Sequence, residues 1–187
     1  MNILLEDLKA QREGLLGFGF WALLVYRFGH ARYRVKNRLL RAPWTIVYKI
    51  LEKLTELMFG ITIHSKATIG RRFSIEHHGC IVIHGATVIG DDCLIRHGVT
   101  LGNSGYDDPL GAPKLGNRVQ VGAGAKILGN VEIGKRAKVG AGSVVLDNVP
   151  PHCTVAGVPA RVVGCPQEAE PALSMNHSLP DNPGAGI

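Results

Sequence analysis

The sequence predicts a mainly β fold: a parallel β-helix of six-residue repeats, preceded by an α-helical segment and followed by a flexible tail. Aliphatic residues recur every six positions, Gly commonly follows them, and small side chains often lie two residues before the next aliphatic. The three runs are Ile63, Ile69, Ile75 and Ile81; Ile83, Ile89, Ile95 and Leu101; and Leu115, Val121, Ile127, Ile133, Val139 and Val145. A two-residue shift in phase separates the first run from the second.

A period of six excludes an α-helix, because 3.6 residues per turn would spread the aliphatic residues around its circumference. In a parallel β-helix each hexad supplies one short strand and one corner, and Gly turns the chain where a Cβ would crowd. No coil buries its own apolar face, so stability requires stacked coils. A β-sandwich would need alternating apolar residues and hairpin turns, and the period of six argues against it.

Three segments follow from the pattern: a helical segment at 1–60, the β-helix at 61–163 and a flexible tail at 164–187. The repeat is interrupted at 102–114 by GNSGYDDPLGAPK, whose Gly, Pro, Asn and Asp content predicts a loop that leaves the solenoid. An insertion in a rigid scaffold is a common place for a functional site. The tail is rich in Pro, Ala, Ser and Asn, and we expect it to be mobile.

Two amphipathic helices are predicted before the repeat, and we expect them to cap the solenoid or to pair with another subunit. The apolar stripe of the first comprises Trp21, Leu24, Val25 and Phe28. That of the second comprises Trp44, Val47, Tyr48, Leu51, Leu54 and Met58, with Pro43 in the first turn and Lys49, Glu52, Lys53 and Glu56 on the other face. Alternatively, aromatic and basic residues between Trp21 and Trp44 rest on a membrane surface.

The composition indicates which kinds of ligand and which cellular compartment suit the chain. The chain has 187 residues and a formal net charge of +6, which suits a phosphate-bearing small ligand, an anionic membrane or nucleic acid. The repeat lacks the aromatic-interleaved basic clusters that track single-stranded nucleic acid, so we expect none to bind. Four cysteines without CxxC or zinc-ligand spacing predict free thiols in a cytoplasmic protein. The apolar stretch from Gly14 to Tyr26 is too short to span a bilayer.

Four strings resemble the serine acetyltransferase group of hexapeptide-repeat acyltransferases. They are IHSKATIGRRFSIEHHG at 63–79, GDDCLIRHGVTLGNSG at 90–105, VGAGAKILGNVEIG at 121–134 and VGAGSVVLDNVPPHCTVAGVPARVVG at 139–164. The resemblance implies a left-handed coil and a homotrimer or a dimer of trimers. It also implies transfer of acetyl from acetyl-CoA to a hydroxyl, in a cleft between neighbouring β-helices.

The resemblance places the family's catalytic His on His77, beside Glu76. A neutral imidazole can take the proton of an alcohol as its oxygen attacks a thioester, and can then protonate the departing thiolate. His97, His78 and Asn103 are the expected acceptor contacts. A purely structural alternative for His77 is a side chain held at a corner of the coil by backbone hydrogen bonds.

The match departs from serine acetyltransferases at positions that concern serine. Thr62 replaces the Asp that orients the catalytic His, Ala112 replaces a serine-binding His, and Glu76 replaces a shorter Asp. An imidazole without a carboxylate partner has a less constrained tautomer. The strings ATIGRRFSIEHHG and GDDCLIRHGVTLGN, with LLEDLKA and VYRFGH before them, look more like acetyltransferases of colanic-acid and other exopolysaccharide gene clusters. We therefore expect a sugar hydroxyl as acceptor, in an exopolysaccharide or its lipid-linked precursor.

Two other functions stay open. The first is L-serine O-acetyltransferase: the last residues, Gly184-Ala185-Gly186-Ile187, are similar to the endings of serine acetyltransferases whose terminal Ile docks into a sulfhydrylase. The second is a noncatalytic β-helix scaffold that binds a partner through its tail, which the absent orienting Asp would suit.

Acetyl-CoA is expected in a groove between adjacent β-helices. Small residues let the pantetheine arm approach the backbone, and basic residues meet its phosphates. The predicted contacts are Gly102, Ala123, Ala141, Lys126, Lys138 and Arg161. The thioester is already activated, so the sequence predicts no requirement for a metal.

Overall fold

A computed structural model describes residues 3–105, 108 and 110–166 of the chain. The helices are α1 (Ile3–Ala10), α2 (Phe18–Ala31) and α3 (Arg38–Phe59), with 3-10 turns at Gly14–Leu16 and Arg32–Arg34. The strands are β1 (Ile61–Ile63), β2 (Thr68–Ile69), β3 (Ser74–Glu76), β4 (Ile81–Ile83), β5 (Val88–Ile89), β6 (Leu94–Arg96), β7 (Thr100–Gly102), β8 (Lys114–Leu115), β9 (Gln120–Val121), β10 (Lys126–Leu128), β11 (Glu132–Ile133), β12 (Lys138–Val139), β13 (Val144–Val145), β14 (Thr154–Gly157) and β15 (Ala160–Gly164).

The strands form a β-solenoid with three faces, which confirms the predicted parallel β-helix. The first sheet contains β1, β4, β7, β10 and β13; the second contains β2, β5, β8 and β11; the third contains β3, β6, β9, β12, β14 and β15. All described pairings are parallel except that of β14 with the terminal strand β15. Each strand pairs with its counterpart one coil later, for example Ile63 with Ile83 and Ile83 with Leu101.

The repeat residues fill the interior as the period requires. The aliphatic positions of the three runs are all buried, and small residues such as Ala67, Ala125 and Ser143 complete the layers with no exposed surface. A Cβ on Gly122 would lie 2.6 Å from the backbone nitrogen of Ala141 on the next coil. Glycine after the aliphatic therefore lets successive coils stack at the spacing of paired strands.

The two-residue phase shift corresponds to one enlarged corner. Glu76 pairs with Arg96, and Val82 pairs with Thr100, on neighbouring coils. Residues 77–81 thus occupy the corner that residues 97–99 occupy on the following coil. The larger corner carries His77, whose φ of 63° lies in the left-handed region that few residues other than glycine adopt.

Helix α2 caps the first coil, as expected. Leu23 and Tyr26 pack into the solenoid core, and the Tyr26 hydroxyl donates to the Ala67 carbonyl (2.8 Å) and accepts from the Ile69 amide (3.2 Å). The predicted stripe is one position out of register, since Trp21 is 45% exposed. Apolar residues surround most of α2, so its periodicity alone did not identify the buried side.

Helix α3 begins earlier than predicted, and its buried side is rotated relative to the predicted apolar stripe. Asn37 caps its N-terminus by accepting from the Leu39 amide (2.9 Å), so Pro43 lies inside the helix rather than in its first turn. The inner face buries Tyr48, against Gly29 of α2. Glu52 also lies inward, because it accepts a hydrogen bond from the Tyr48 hydroxyl. Three of the six residues in the predicted apolar stripe, Val47, Leu54 and Met58, are exposed.

The C-terminal hairpin corrects the expectation of four free thiols. Antiparallel pairing of Thr154 with Gly164 brings their neighbours Cys153 and Cys165 together in a disulfide, with a Cα–Cα distance of 4.2 Å. Spacing along the sequence could not show this contact, because the hairpin creates it. Cys80 and Cys93 are free, and burial raises the pKa of the Cys93 thiol to about 11.

The boundary predicted at residue 163 falls inside β15, which runs through Gly164. Residues 167–187 of the predicted tail, including Ile187 and its expected docking to a sulfhydrylase, lie outside the described residues. Within the described ranges, no helix is long and apolar enough to cross a membrane.

Replacement of Gly29 by Ala tests the packing of α2 on α3. A Cβ at this position would lie 2.1 Å from Cε2 of the buried Tyr48 ring. Overpacking costs about 1–3 kcal/mol, which exceeds the roughly 0.5–1 kcal/mol that Ala gains over Gly in a helix. We expect the melting temperature, followed by circular dichroism, to fall. Gly105→Ala is the control, since nothing lies within 4 Å of its Cβ; a higher melting temperature for Gly29→Ala would contradict the described packing.

Candidate active site

Strand register assembles one column of residues at the corner between the third and first sheets. Glu76 pairs with Arg96, Ile95 with Val121, and Val121 with Val139. Extending this register by one residue beyond Glu76 and Arg96, and by two beyond Ile95, Val121 and Val139, aligns four residues on successive coils. They are His77, His97, Ala123 and Ala141. Backbone hydrogen bonds continue the stack, from the Gly124 amide to the His97 carbonyl and from the Gly142 amide to the Ala123 carbonyl, both 2.8 Å.

His77 and His97 lie at one end of this column. Their ring centroids are 5.8 Å apart, and the rings meet edge to face at 69°. Both side chains are exposed. Neither imidazole has a hydrogen-bond partner among the described residues, so the nitrogens of His77 are free to meet an acceptor. The purely structural alternative, a His77 side chain fixed by backbone hydrogen bonds, has no support in this geometry.

Glu76 has a partner that the sequence analysis did not identify. The Arg96 Nε donates to Glu76 Oε2 at 3.0 Å, between equivalent positions of neighbouring coils. The sequence contains a signal for this pair, because the two residues have opposite charges and lie 20 residues apart, which is one coil. This ion pair holds the Glu76 carboxylate beside His77 without bonding to the imidazole. Thr62, on the outward face of the first sheet, likewise makes no described hydrogen bond to His77.

The N-terminal segment forms a wall beside the histidines. Gln11 donates from Nε2 to the Phe73 carbonyl (2.8 Å) and accepts from the Ile75 amide (3.1 Å), which fixes the end of α1 against β3. A small recess between Gln11, Gly17 and His77 adjoins a larger groove of about 420 Å³ along the third sheet. Arg12 and Glu76 line both the recess and the groove. The recess and the groove together form an open channel at this corner, lined by both charged side chains and apolar surface.

His78 turns away from this channel towards the helices. Its ring lies edge-on to Phe18 with centroids 4.5 Å apart, and Phe18 stacks on Phe59 of α3 at 4.7 Å. His78 thus links the enlarged corner to the helical segment.

Two predicted residues lie at the other edge of the first sheet. Register aligns His64, His84 and Gly102 at the corner from which the inserted loop leaves, and Asn103 follows them. The side-chain Nδ2 of Asn103 donates to the Gly105 carbonyl (2.9 Å). Burial lowers the pKa of His64. Within one chain, Gly102 and Asn103 are separated from His77 by the width of the first sheet.

The three predicted phosphate contacts are dispersed. The Lys126 ammonium donates to the Gly98 carbonyl (2.5 Å) and to the Thr100 hydroxyl (3.1 Å). These hydrogen bonds tie it to the corner that contains His97. Lys138 is exposed on the third sheet with no side-chain partner among the described residues. Arg161 lies on the terminal hairpin, where its Nη1 is 3.4 Å from Asp147.

Comparisons with known proteins agree with this architecture. The bacterial transferase hexapeptide (six repeats) family matches residues 112–147. WcaB of Escherichia coli K12, a protein assigned as a colanic acid biosynthesis acetyltransferase, is 44% identical over 164 residues, which cover 85% of this chain and 98% of WcaB. The chain belongs to the hexapeptide-repeat family of acetyltransferases. The predicted resemblance and the predicted acyltransferase class are both confirmed.

Serine acetyltransferases are also similar to this acetyltransferase. The enzyme of Salmonella typhimurium LT2 is 44% identical over 158 residues, which cover 84% of this chain and only 55% of that enzyme. The crystal structure of serine acetyltransferase from Brucella abortus S19 in complex with Coenzyme A has a TM-score of 0.77 and 34% identity, over 87% of this chain and 66% of that one.

The roles of the two histidines can be separated by mutation. If His77 is the general base, His77→Ala should lower acetyl transfer by roughly 10²-fold to 10⁴-fold, the usual contribution of such a base. Folding and CoA binding should be retained, since the side chain is exposed and outside the core. His97→Ala should cost less. Steady-state kinetics with calorimetric CoA binding measure both; near-normal turnover in His77→Ala with loss in His97→Ala would reverse the assignment.

The column also predicts where bulk should interfere with acetyl-CoA. Ala141 lies three coils from His77, or roughly 14 Å at the spacing of paired strands. Ala141→Trp should raise the KM for acetyl-CoA by about tenfold or more, equivalent to roughly 1.4 kcal/mol of binding. Lys135→Trp is the matched control at another corner of the solenoid. Equal KM values for the two variants, with assembly unchanged, would remove the column from the CoA site.

Proposed function

We propose that this acetyltransferase transfers acetyl from acetyl-CoA to a sugar hydroxyl in exopolysaccharide synthesis. The likeness to WcaB supports the proposal, because it extends over 98% of that protein. The similarity to serine acetyltransferase of Salmonella typhimurium covers little more than half of that enzyme.

One observation carries the choice of acceptor. At the position where the resemblance expects a serine-binding His, this chain has Ala112, which is 3% exposed. A buried methyl group cannot donate to or accept from an amino-acid carboxylate. The groove that adjoins the His77 recess instead offers Gln120, Ser74 and Arg12 to an acceptor larger than serine.

The proposed reaction uses His77 as the general base. Its neutral imidazole removes the proton of the sugar hydroxyl as the oxygen attacks the thioester carbonyl, and then returns that proton to the departing CoA thiolate. The Arg96 pair leaves Glu76 Oε1 available to accept a hydrogen bond from a neighbouring sugar hydroxyl. Glu76 thereby positions the acceptor, while the absence of a carboxylate at Thr62 leaves the acceptor itself to orient the imidazole.

We infer that the site is completed in a trimer that forms through the first sheet. Its outward residues Thr62, Val82, Thr100 and Val144 are uncharged, and the ammonium of Lys126 is bonded back to its own chain. The second sheet instead exposes Lys114 and Glu132. Contact through the first sheet brings the loop corner with Gly102 and Asn103 of one copy towards the His77 corner of the next. The CoA groove then lies between copies, along Ala123 and Ala141.

L-serine O-acetyltransferase is the second candidate. The likeness to the CoA complex from Brucella abortus and the acidic residue at Glu76 favour it. A noncatalytic scaffold would also keep the solenoid, but it would have no use for two exposed histidines without partners at the head of the column.

A mass-spectrometric assay with acetyl-CoA decides among these functions. Nucleotide sugars, colanic-acid-type oligosaccharides and L-serine are offered in parallel, and free CoA is measured as thiol. We expect O-acetylated sugar product at a rate that His77→Ala abolishes. O-acetylserine as the only product would establish the second candidate. CoA release no faster with any acceptor than in His77→Ala would favour the scaffold.

A further inference from the structure

Helix α3 exposes an apolar stripe with no partner in the described chain. Ile46, Ile50 and Leu57 are 63%, 57% and 83% exposed. The same side of the helix contains Leu39, Leu40, Val47, Leu54 and Met58, all exposed. At 1.5 Å per residue, this 22-residue helix is roughly 33 Å long. A contiguous exposed apolar surface of this kind marks an interaction site.

The inner side of α3 is already occupied, so the stripe does not serve the fold. Tyr48 is fully buried against α2, Thr55 is buried, and Glu52 accepts from the Tyr48 hydroxyl. Removal of water from the outer stripe requires a second surface.

Positive charge is concentrated in the same segment. Residues 1–60 contain ten Lys and Arg and five Asp and Glu, a net charge of +5, whereas the longer stretch 61–163 carries +4. The stretch 32–41 alone has five Arg and Lys and no acidic residue. The basic residues Arg34, Lys36 and Arg38 are exposed at the start of α3, next to the exposed Leu39 and Leu40.

These cations point to the chemistry of the partner. Arg34, Lys36 and Arg38 have no ion-pair partner among the described residues. The two carboxylates of α3 are both engaged by lysines of the same helix: Glu52 by Lys49 at 2.6 Å and Glu56 by Lys53 at 2.8 Å. A second copy of the helix would therefore bring cations to cations, without a free carboxylate on α3 to receive them.

We propose that α3 docks on the surface of a membrane that contains anionic lipids. The stripe enters the boundary between head groups and acyl chains, and Arg34, Lys36 and Arg38 meet lipid phosphates. The basic end of the helix then lies among anionic head groups, and its apolar side lies against acyl chains. The proposal stands independently of the acceptor, although it would bring the site close to a lipid-linked sugar.

Vesicle flotation with the full chain tests this proposal. The probes are phosphatidylcholine vesicles with and without phosphatidylglycerol, at low and high salt. Ile50→Asn with Leu57→Asn removes the apolar contact, and Arg34→Gln with Lys36→Gln and Arg38→Gln removes the charge. Val162→Asn with Val163→Asn, and Lys66→Gln with Lys135→Gln and Arg136→Gln, are the matched controls on exposed positions of the solenoid and its hairpin.

We expect the wild type to float with the anionic vesicles and to be released by salt. The charge variant should lose roughly a hundredfold in partition coefficient, at about 1 kcal/mol for each basic residue. The apolar variant should also lose binding, while both controls should bind like the wild type. CoA release with a soluble acceptor, measured in the same samples, distinguishes a failure of docking from a failure of the proposed function.

Two outcomes would overturn the proposal. Equal binding of the wild type and both α3 variants would show that another surface meets the lipid. Absence of vesicle binding, together with a mass in solution that drops when Ile50 and Leu57 become Asn, would show that a second copy covers the stripe.

Discussion

The stacking of coils is the constraint on which the rest of this structure depends. No single turn of the solenoid buries its own aliphatic residues, so each strand must pair in register with the strand one coil away. The inward aliphatic side chains and the glycines that admit the next backbone, such as Gly122 under Ala141, both enforce that register. Once the register is set, residues far apart in sequence become vertical neighbours. The candidate site of this molecule is built from such a column of vertical neighbours.

The column that begins at His77 shows how the stacking of coils assembles a candidate site. Regular coils supply small residues at Ala123 and Ala141, and these leave room for an extended ligand along the corner. The first coil departs from the regular pattern by two residues, and the enlarged corner presents His77 beyond the prism. The Glu76–Arg96 pair is itself a product of register, since each coil contributes one partner. The scaffold thus brings an exposed imidazole, an anchored carboxylate and a channel together at one corner.

The helical segment covers the open end of the solenoid. Its first coil would expose its aliphatic layer, and α2 covers that layer with Leu23 and Tyr26. Arg27 joins the same junction by donating to the Ile69 carbonyl (2.7 Å). Helix α3 packs mainly on α2 and meets the first coil at Phe59, so its outer face is free for another purpose. Basic charge is denser in this segment, at +5 over residues 1–60, than in the β-helix, at +4 over residues 61–163.

The sequence by itself determined the architecture, because a period of six with glycine corners is compatible with one kind of backbone. The matched strings also singled out His77 as the candidate general base. The outward side of α3 and the buried register of α2 required the tertiary structure, because helices that are apolar on several sides do not specify which side meets the core. The same holds for the Glu76–Arg96 pair and the Cys153–Cys165 disulfide: strand pairing creates these contacts across 20 and 12 residues. Local sequence encodes the shape of each coil, but only the stacked chain decides which side chains become neighbours.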